Sequence, residues 1–473
     1  MKKEITYALD YALNKGFQIH PNAFRLLENL DVKQLEKIIK EIVREKKKQN
    51  LYLINQDDLE LFLGIKTDET LRSDCQVEYD PTPNITSAEG VNGFGMLFSS
   101  RFLKLKQIIL TRPEAKMLKP ISSVLSEKSK NDTYVCGLVV QRSSERNVSK
   151  VTVEDPSGSM ELVVFDKDLQ AVADSLMVDQ FVMARIVAGK NGGFIAKDLI
   201  FPDIPDHHSN RSETETYAVF LSDLHVGSQY FMEAELNALV SWLSEPDPIA
   251  RKVRFLIIGG DVVDGVGIYP NQDKELVCQT VDEQLEKLER IISKIPKNIK
   301  VIISPGNHDP GRRALPQPAL PQKYNTNLWS HENIILVGNP AIISLNGVKV
   351  LIFHGQSIDD IVKTTPGLSY AKPANVMRHL LRARHLSPIY GGQTPIAPEK
   401  EDMLTIDEVP DIFHVGHVHV VDLDLYKNIL LINSGTWQKQ TPFQQSVGVN
   451  PTPGIAVVVN LKTFKVYTKD FPA

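Results

Sequence analysis

Cysteine is scarce in this chain, with Cys75, Cys136 and Cys278 the only three in 473 residues. They lie far apart and form no Cys-x-x-Cys pair, which argues against a zinc ribbon or a disulfide framework and fits a reducing compartment. Long apolar runs are missing as well. No stretch reaches the roughly 18 consecutive apolar residues of a membrane span. The opening residues, MKKEITYALDYALNKG, carry basic side chains without the apolar core of a signal peptide. An excess of positive charge is also lacking: 53 lysines and arginines face 58 aspartates and glutamates, a net charge of −5. A basic coat for nucleic acid is therefore excluded, whereas a local patch is not. These absences lead to the expectation of a soluble intracellular protein with no membrane contact.

What is present is ordinary globular material, 42% hydrophobic and 23% charged, which excludes wholesale disorder, collagen and coiled coil. At roughly 100–200 residues per domain, the length allows about three domains. Residues 1–65 read as a small helical module. Within it Leu35, Ile38, Ile39, Ile42 and Val43 recur at helical spacing, and Asp31 with Gln34 resembles a capping box. Residues 66–97 are polar and turn-rich, a flexible linker. Helical spacing returns through Phe102, Leu105, Ile108 and Ile109 and leads into an all-β stretch, giving a unit over 98–205. Its expected strands are Tyr134–Arg142, Ser149–Glu154, Met160–Phe165, Gln180–Val187 and Phe194–Ile200. With a helix at Asp168–Leu176 between the third and fourth, this is the order of an OB-fold barrel. Such barrels bind single-stranded nucleic acid or dock partner proteins; few aromatics mark these strands, and both uses stay open.

From 215 to 473, apolar runs alternate with helical intervals at 233–244 and 275–294. The runs Ala218–Leu221, Phe255–Ile258, Val301–Ile303, Val350–Phe353, Asp411–Val415 and Ile429–Ile432 read as strands covered on both faces. Five of them end in polar clusters: Asp223-Leu224-His225; Gly260-Asp261-Val262-Val263-Asp264; Gly306-Asn307-His308-Asp309; His354-Gly355; and Gly416-His417-Val418-His419. Carboxylate, imidazole and amide oxygen are ligands suited to divalent transition metals. In extended chain, residues two apart point the same way, so Asp223 with His225 and His417 with His419 each offer two ligands to one place. Each cluster alone has a plainer explanation: a lone strand histidine is usually satisfied in the core, Gly-Asp is a common turn, and Asn-His-Asp suits a helix cap. Five in this order, each after an apolar strand, point to a metal site.

The five blocks resemble those of calcineurin-like metallophosphoesterases: D-x-H, G-D-x-x-D, G-N-H-D, H and G-H-x-H. By position, the resemblance implies that Asp223, His225, Asp261 and His419 hold one metal. Asn307, His354 and His417 complete a second, with Asp261 bridging. His308 matches the proton donor, with Asp309 placed to orient it, and Asp264 matches a block residue that is usually not a ligand. Two divalent cations are implied, manganese foremost, with iron or zinc also permitted by nitrogen and oxygen ligands. Paired cations about 3.5–4 Å apart stabilise both oxygens of an in-line displacement at phosphorus.

An OB-fold directly before such a domain, with a helical N-terminal module, resembles the small subunit of archaeal family D DNA polymerase. The segments HDPGRRALPQPALP (308–321), SYAKPANVMRHLLRARHLSPIYGG (369–392) and INSGTWQKQTPFQ (432–444) carry the same resemblance. It implies a multidomain α/β plus all-β protein, in which a four-layer metallophosphoesterase sandwich follows an OB-fold barrel and a small helical module. It also implies a 3′-5′ exonuclease acting on single-stranded or mismatched DNA 3′ ends, paired with a large polymerising subunit, in the cytoplasm at the nucleoid. Related eukaryotic B-subunits have degraded metal blocks, whereas every ligand position is kept here. A non-catalytic scaffold docking the polymerase subunit to replication factors is the alternative, and a stand-alone small-molecule phosphoesterase a third reading. Two arginines, Arg312 and Arg313, follow the Gly306–Asp309 block closely enough to face a substrate phosphate, or they belong to a surface loop. The basic stretch of Arg378, Arg382 and Arg384 with His379 and His385 tracks a nucleic-acid backbone or faces solvent or a partner.

Overall fold

The computed structural model describes residues 10–21, 23, 32–48, 51–56, 58–59, 73–86, 90–127, 132–189, 192–324, 326–446 and 448–472. Asp31 and the side chains of Gln34 and Leu35, and with them the expected capping box, lie outside the described residues. In the helix Val32–Lys48, Ile38, Ile39, Ile42 and Val43 form one buried face against Ala12, Phe17, Ile54 and Leu59. The module also contains a parallel pairing of Gln18–Ile19 with Leu53–Ile54. Two-residue strands are too short for any periodicity to reveal.

Where residues 66–97 are described, they are structured rather than a linker. Cys75–Tyr79 is a strand paired antiparallel with Ala341–Leu345, more than 250 positions later in the chain. It is an edge strand whose three middle side chains are exposed, so it lacks the apolar run that marks a covered one. The following helix starts at Gly90, not 98, and runs to Leu110, burying Leu97, Phe102, Leu105 and Ile109. Arg101 on this helix is fully buried. Its Nε donates to Asp402 Oδ2 at 2.8 Å and its Nη1 to the Pro388 carbonyl at 2.6 Å. His385 Nε2 lies 3.0 Å from the same Asp402 oxygen. Charges so deep survive because they are paired.

The five barrel strands close in the order Thr133–Glu145, Val148–Asp155, Gly158–Val164, Phe194–Ile200, Phe181–Ala188. The helix Lys167–Asp174 separates the third from the fourth in sequence, capped by Asp166 accepting from the Leu169 amide. This is the expected OB-fold. Val148–Asp155 alternates between the barrel interior and solvent, the period of a half-buried strand.

The remaining chain forms two six-stranded sheets. One runs Ile334–Leu336, Lys300–Ser304, Val253–Gly259, Tyr217–Leu221, Ile455–Asn460, Val466–Asp470. The other runs Asp422–Tyr426, Ile429–Asn433, Ile412–Val415, Val348–Ile352, Ala341–Leu345, Cys75–Tyr79. Phe220, Phe255, Ile302, Ile343, Val350 and Ile352 pack between them. The helices Glu233–Trp242 and Val281–Ile292 cover the outer face of the first, and Ile358–Thr364 and Pro373–Ala383 that of the second. The result is the four-layer α/β sandwich, and burial on both faces is why its central strands read as unbroken apolar runs. Among the described residues, no helix is long and apolar enough to cross a membrane.

Candidate metal centre

Each polar cluster leaves the carboxyl end of a strand. Asp223 and His225 follow Tyr217–Leu221, Asp261 and Asp264 follow Val253–Gly259, and Asn307 and His308 follow Lys300–Ser304. His354 follows Val348–Ile352, and His417 and His419 follow Ile412–Val415. Parallel pairing aligns these ends within each sheet, where layered α/β folds place their sites. The turns are not extended chain, however. Asp223, His225, Asp261, His417 and His419 have φ of +53°, +51°, +50°, +70° and +61°, a left-handed conformation that costs a non-glycine residue about 1–3 kcal/mol. The paired ligands therefore converge through strained loops, not through the strand alternation expected from their spacing.

In the first group, His225 Nε2 and His419 Nε2 stand 3.2 Å apart, and His419 Nε2 is 3.3 Å from Asp223 Oδ1. In the second, His354 Nε2 is 3.3 Å from Asp261 Oδ2 and 3.1 Å from Asn307 Oδ1. His417 shares this cluster with Asp261 and His354. Asp261 Oδ2 also lies 4.0 Å from His225 Nε2, so this carboxylate stands between the two groups. Asp223 Oδ1 is buried and has no hydrogen-bond donor, although buried polar atoms are nearly always satisfied. The cradle is tight: a Cβ at Gly306 would fall 2.2 Å from Asp261 Oδ1, and one at Gly416 2.6 Å from Asp223 Oδ2. Facing imidazole nitrogens, an unsatisfied carboxylate oxygen and glycine backbones pressed against the ligands fit divalent cations. Burial pushes the Asp223 and Asp261 carboxyls upward, but the surrounding imidazoles outweigh it and hold both below the ordinary range.

The far side of each imidazole is held as well. His225 Nδ1 is 3.1 Å from Asp264 Oδ1, His354 Nδ1 2.9 Å from the Gly259 carbonyl, and His419 Nδ1 2.7 Å from Gln444 Nε2. His417 Nε2 is 3.2 Å from Asp359 Oδ2. Such contacts fix ring orientation in metal sites. Asp264, although grouped with His225 and His308, spends its oxygens on His225, Gln272 and Gln438. Sequence reasoning missed Asp359 and Gln444, which belong to no block and carry no motif.

His308 lines the cavity. Its Nδ1 is 2.8 Å from the Asp264 carbonyl, and its Nε2 is 4.0 Å from Asp261 Oδ2. Burial lowers its pKa, opposed by the Asp261 charge. Asp309 does not orient this ring. Its carboxylate accepts from the amides of Gly306 (2.7 Å), Val263 (3.1 Å) and Val262 (3.3 Å), tying two ligand loops together. Neighbours in a turn point apart, and the orienting group is the Asp264 carbonyl instead. Arg312 does not face the cavity either: it pairs with buried Glu399 at 2.5 Å and donates from Nε to the Pro316 carbonyl at 3.0 Å. Arg313 is exposed, with Nη2 3.4 Å from the Gly267 carbonyl, beside the loop bearing Tyr269. The basic stretch is engaged rather than free: Arg378 pairs with Asp424, Arg382 lies over the Phe201 ring, and Arg384 donates to the Asp407 carbonyl.

A cavity of about 530 Å³ opens over both groups, with Tyr269, Lys363, Tyr370 and Phe443 in its wall. The sandwich and its paired clusters define a metallophosphoesterase fold carried behind an OB-fold barrel. Residues 218–420 match the family model of the DNA polymerase alpha/epsilon B-subunits, and residues 133–188 match that of the OB-fold nucleic acid binding domain. Over 450 residues the chain is 36% identical to the DNA polymerase II small subunit of Pyrococcus horikoshii, covering 91% of this chain and 72% of that one. The corresponding protein of Archaeoglobus fulgidus is 39% identical over 399 residues, 82% of this chain and 80% of its own. That of Methanothermobacter thermautotrophicus is 38% identical over 377 residues, 78% and 77%. The chain belongs to the family of archaeal DNA polymerase II small subunits, as the resemblance implied.

Proposed function

We propose that this chain is the nuclease-bearing small subunit of a two-subunit replicative DNA polymerase, removing nucleotides from DNA 3′ ends beside a large polymerising subunit. The observation that carries this reading is the convergence of seven potential ligands from five loops in two adjoining groups, with Asp261 between them and His225, Asp261, His417 and His419 in the cavity wall. Asp223, His225, Asp261 and His419 would hold one divalent cation, and Asp261, Asn307, His354 and His417 would hold the other, with manganese the favoured ion. When bound, the pair lowers the pKa of water and offsets charge developing on the phosphoryl oxygens. His308, with Nδ1 fixed on the Asp264 carbonyl, turns Nε2 toward the cavity and protonates the leaving 3′ oxygen of the shortened strand. Asp309 supports the ligand loops and takes no part in that transfer. The barrel unit, whose leading helix begins at Gly90 and packs on the sandwich through Arg101, serves to dock the large subunit or the strand, within the cytoplasm at the nucleoid.

The test is digestion of single-stranded and 3′-mismatched DNA with manganese, by the chain alone and with its large subunit, beside His308→Ala. Stepwise 3′-5′ shortening is expected, with the substitution costing about 10²–10⁴-fold in rate. No shortening in either setting refutes the nuclease and leaves a docking subunit.

A further inference from the structure

The cavity wall carries features that hydrolysis itself does not use. Phe443, on the short helix Pro442–Ser446, lines the cavity while 70% exposed. Its position is set rather than incidental. The Thr441 amide donates to Gln444 Oε1 at 3.0 Å, and the Gln444 amide donates to Thr441 Oγ1 at 3.2 Å. Gln444 Nε2 in turn meets His419, so the phenyl ring is one residue removed from a group that touches the metal ligands. On the His308 side stands Tyr269, its ring 6.4 Å from that imidazole and its hydroxyl donating to Glu275 Oε2 at 3.0 Å.

Charge on the wall points the same way. Among the described residues lining the cavity, Lys363 is the single lysine or arginine, so that beyond the cations that would meet the scissile phosphate the wall offers one positive group to the strand. A strand gripped by its phosphates needs several cations. A strand gripped by its bases needs aromatic faces, which stack on any base. The volume falls in the range of a small-molecule site, sufficient for the last nucleotide of a single strand.

We infer that Phe443 and Tyr269 grip the terminal base of an unpaired 3′ end, with Lys363 beside the adjoining phosphate, so that the site takes frayed ends in preference to paired ones. This rests on the nuclease reading. Preference for a mismatch then follows from the smaller cost of unpairing it, without any group that reads base identity.

The experiment uses a single strand ending in 2-aminopurine, with a phosphorothioate at the last linkage to stop cleavage, and the full chain with and without EDTA. Binding is followed by anisotropy of a 5′ dye and stacking by quenching of the terminal base. Quenching is expected with the wild-type chain and lost in Phe443→Ala and Phe443→Leu, the second keeping apolar bulk without an aromatic face. On cleavable strands, Phe443→Ala lowers kcat/KM by about 5- to 150-fold, the range spanned by base–aromatic stacking, whereas a strand with an abasic 3′ nucleotide is slow already and loses little more. Binding without quenching, no binding, or equal slowing on both ends overturns the inference. Cleavage with equal slowing refutes the grip alone, and quenching without cleavage refutes the nuclease alone.

Discussion

Asp264 is the group whose removal most directly tests how the first cation site is built. It lies in no ligand position, yet its Oδ1 is 3.1 Å from His225 Nδ1, and Gln272 and Gln438 donate to its carboxylate at 2.9 and 3.2 Å. Loss of a hydrogen bond to a charged group costs about 1.5–3 kcal/mol, against about 0.5–1.5 for a neutral one. Asp264→Ala removes the whole contact and should weaken binding at the His225 site by roughly 10–100-fold, the usual effect of losing an outer partner of a metal-bound histidine. Asp264→Asn keeps an acceptor and loses only the charge, so the expected loss is the difference, about 1–1.5 kcal/mol or roughly 5- to 15-fold. Calorimetric titration of the EDTA-stripped chain with Mn²⁺ should resolve one weakened site and one unchanged. Two sites weakened equally, or no change in either variant, would refute the assignment of Asp264 to His225.

Asp359→Asn should weaken the other cation instead, and by less, because this carboxylate is about a third exposed and its contact with His417 is screened; the same titration reads it. Gly306→Ala, which sets a methyl 2.2 Å from Asp261 Oδ1, should abolish Mn²⁺ binding while the circular dichroism spectrum is retained. Asp402→Ala strands buried Arg101 and should cost about 3–5 kcal/mol, whereas replacing both by apolar residues of similar volume should be near neutral; denaturant unfolding followed in the sandwich distinguishes them. Burial lowers the pKa of His385, with Arg101 adding to the effect. Its contribution to stability is therefore present above its unfolded value of about 6.5 and lost as pH falls below it, so His385→Gln should flatten the melting temperature between pH 6.5 and 5.

Much of this architecture was legible because central strands of a covered sheet are unbroken apolar runs. Tyr217–Leu221 and Ile412–Val415 announce themselves, and the polar residues just beyond them stand out by contrast. Hydrogen-bond partners are different. Asp359 comes from a helix and Gln444 from a later turn, and nothing local to either marks the histidine it meets. Adjacency misleads as readily: Asp309 follows His308 but turns to backbone amides, and Arg312 turns to Glu399. Side-chain direction in a tight loop depends on its dihedrals, which spacing alone does not convey. The strand Cys75–Tyr79 was hidden for another reason, since an edge position leaves Gln76, Val77 and Glu78 in solvent and breaks the apolar run.

That strand also means that order along the chain is not order in space. The barrel is threaded into the sandwich rather than hung in front of it: the chain visits the outer edge of the last domain first, leaves to build the barrel, and returns. A protein trimmed to begin at residue 215 would keep every metal ligand and still present the bare margin of Ala341–Leu345, an open template for pairing with other chains. Fragments cut at the boundary the sequence suggests should therefore aggregate, and the early residues are better regarded as the hem of the second sheet.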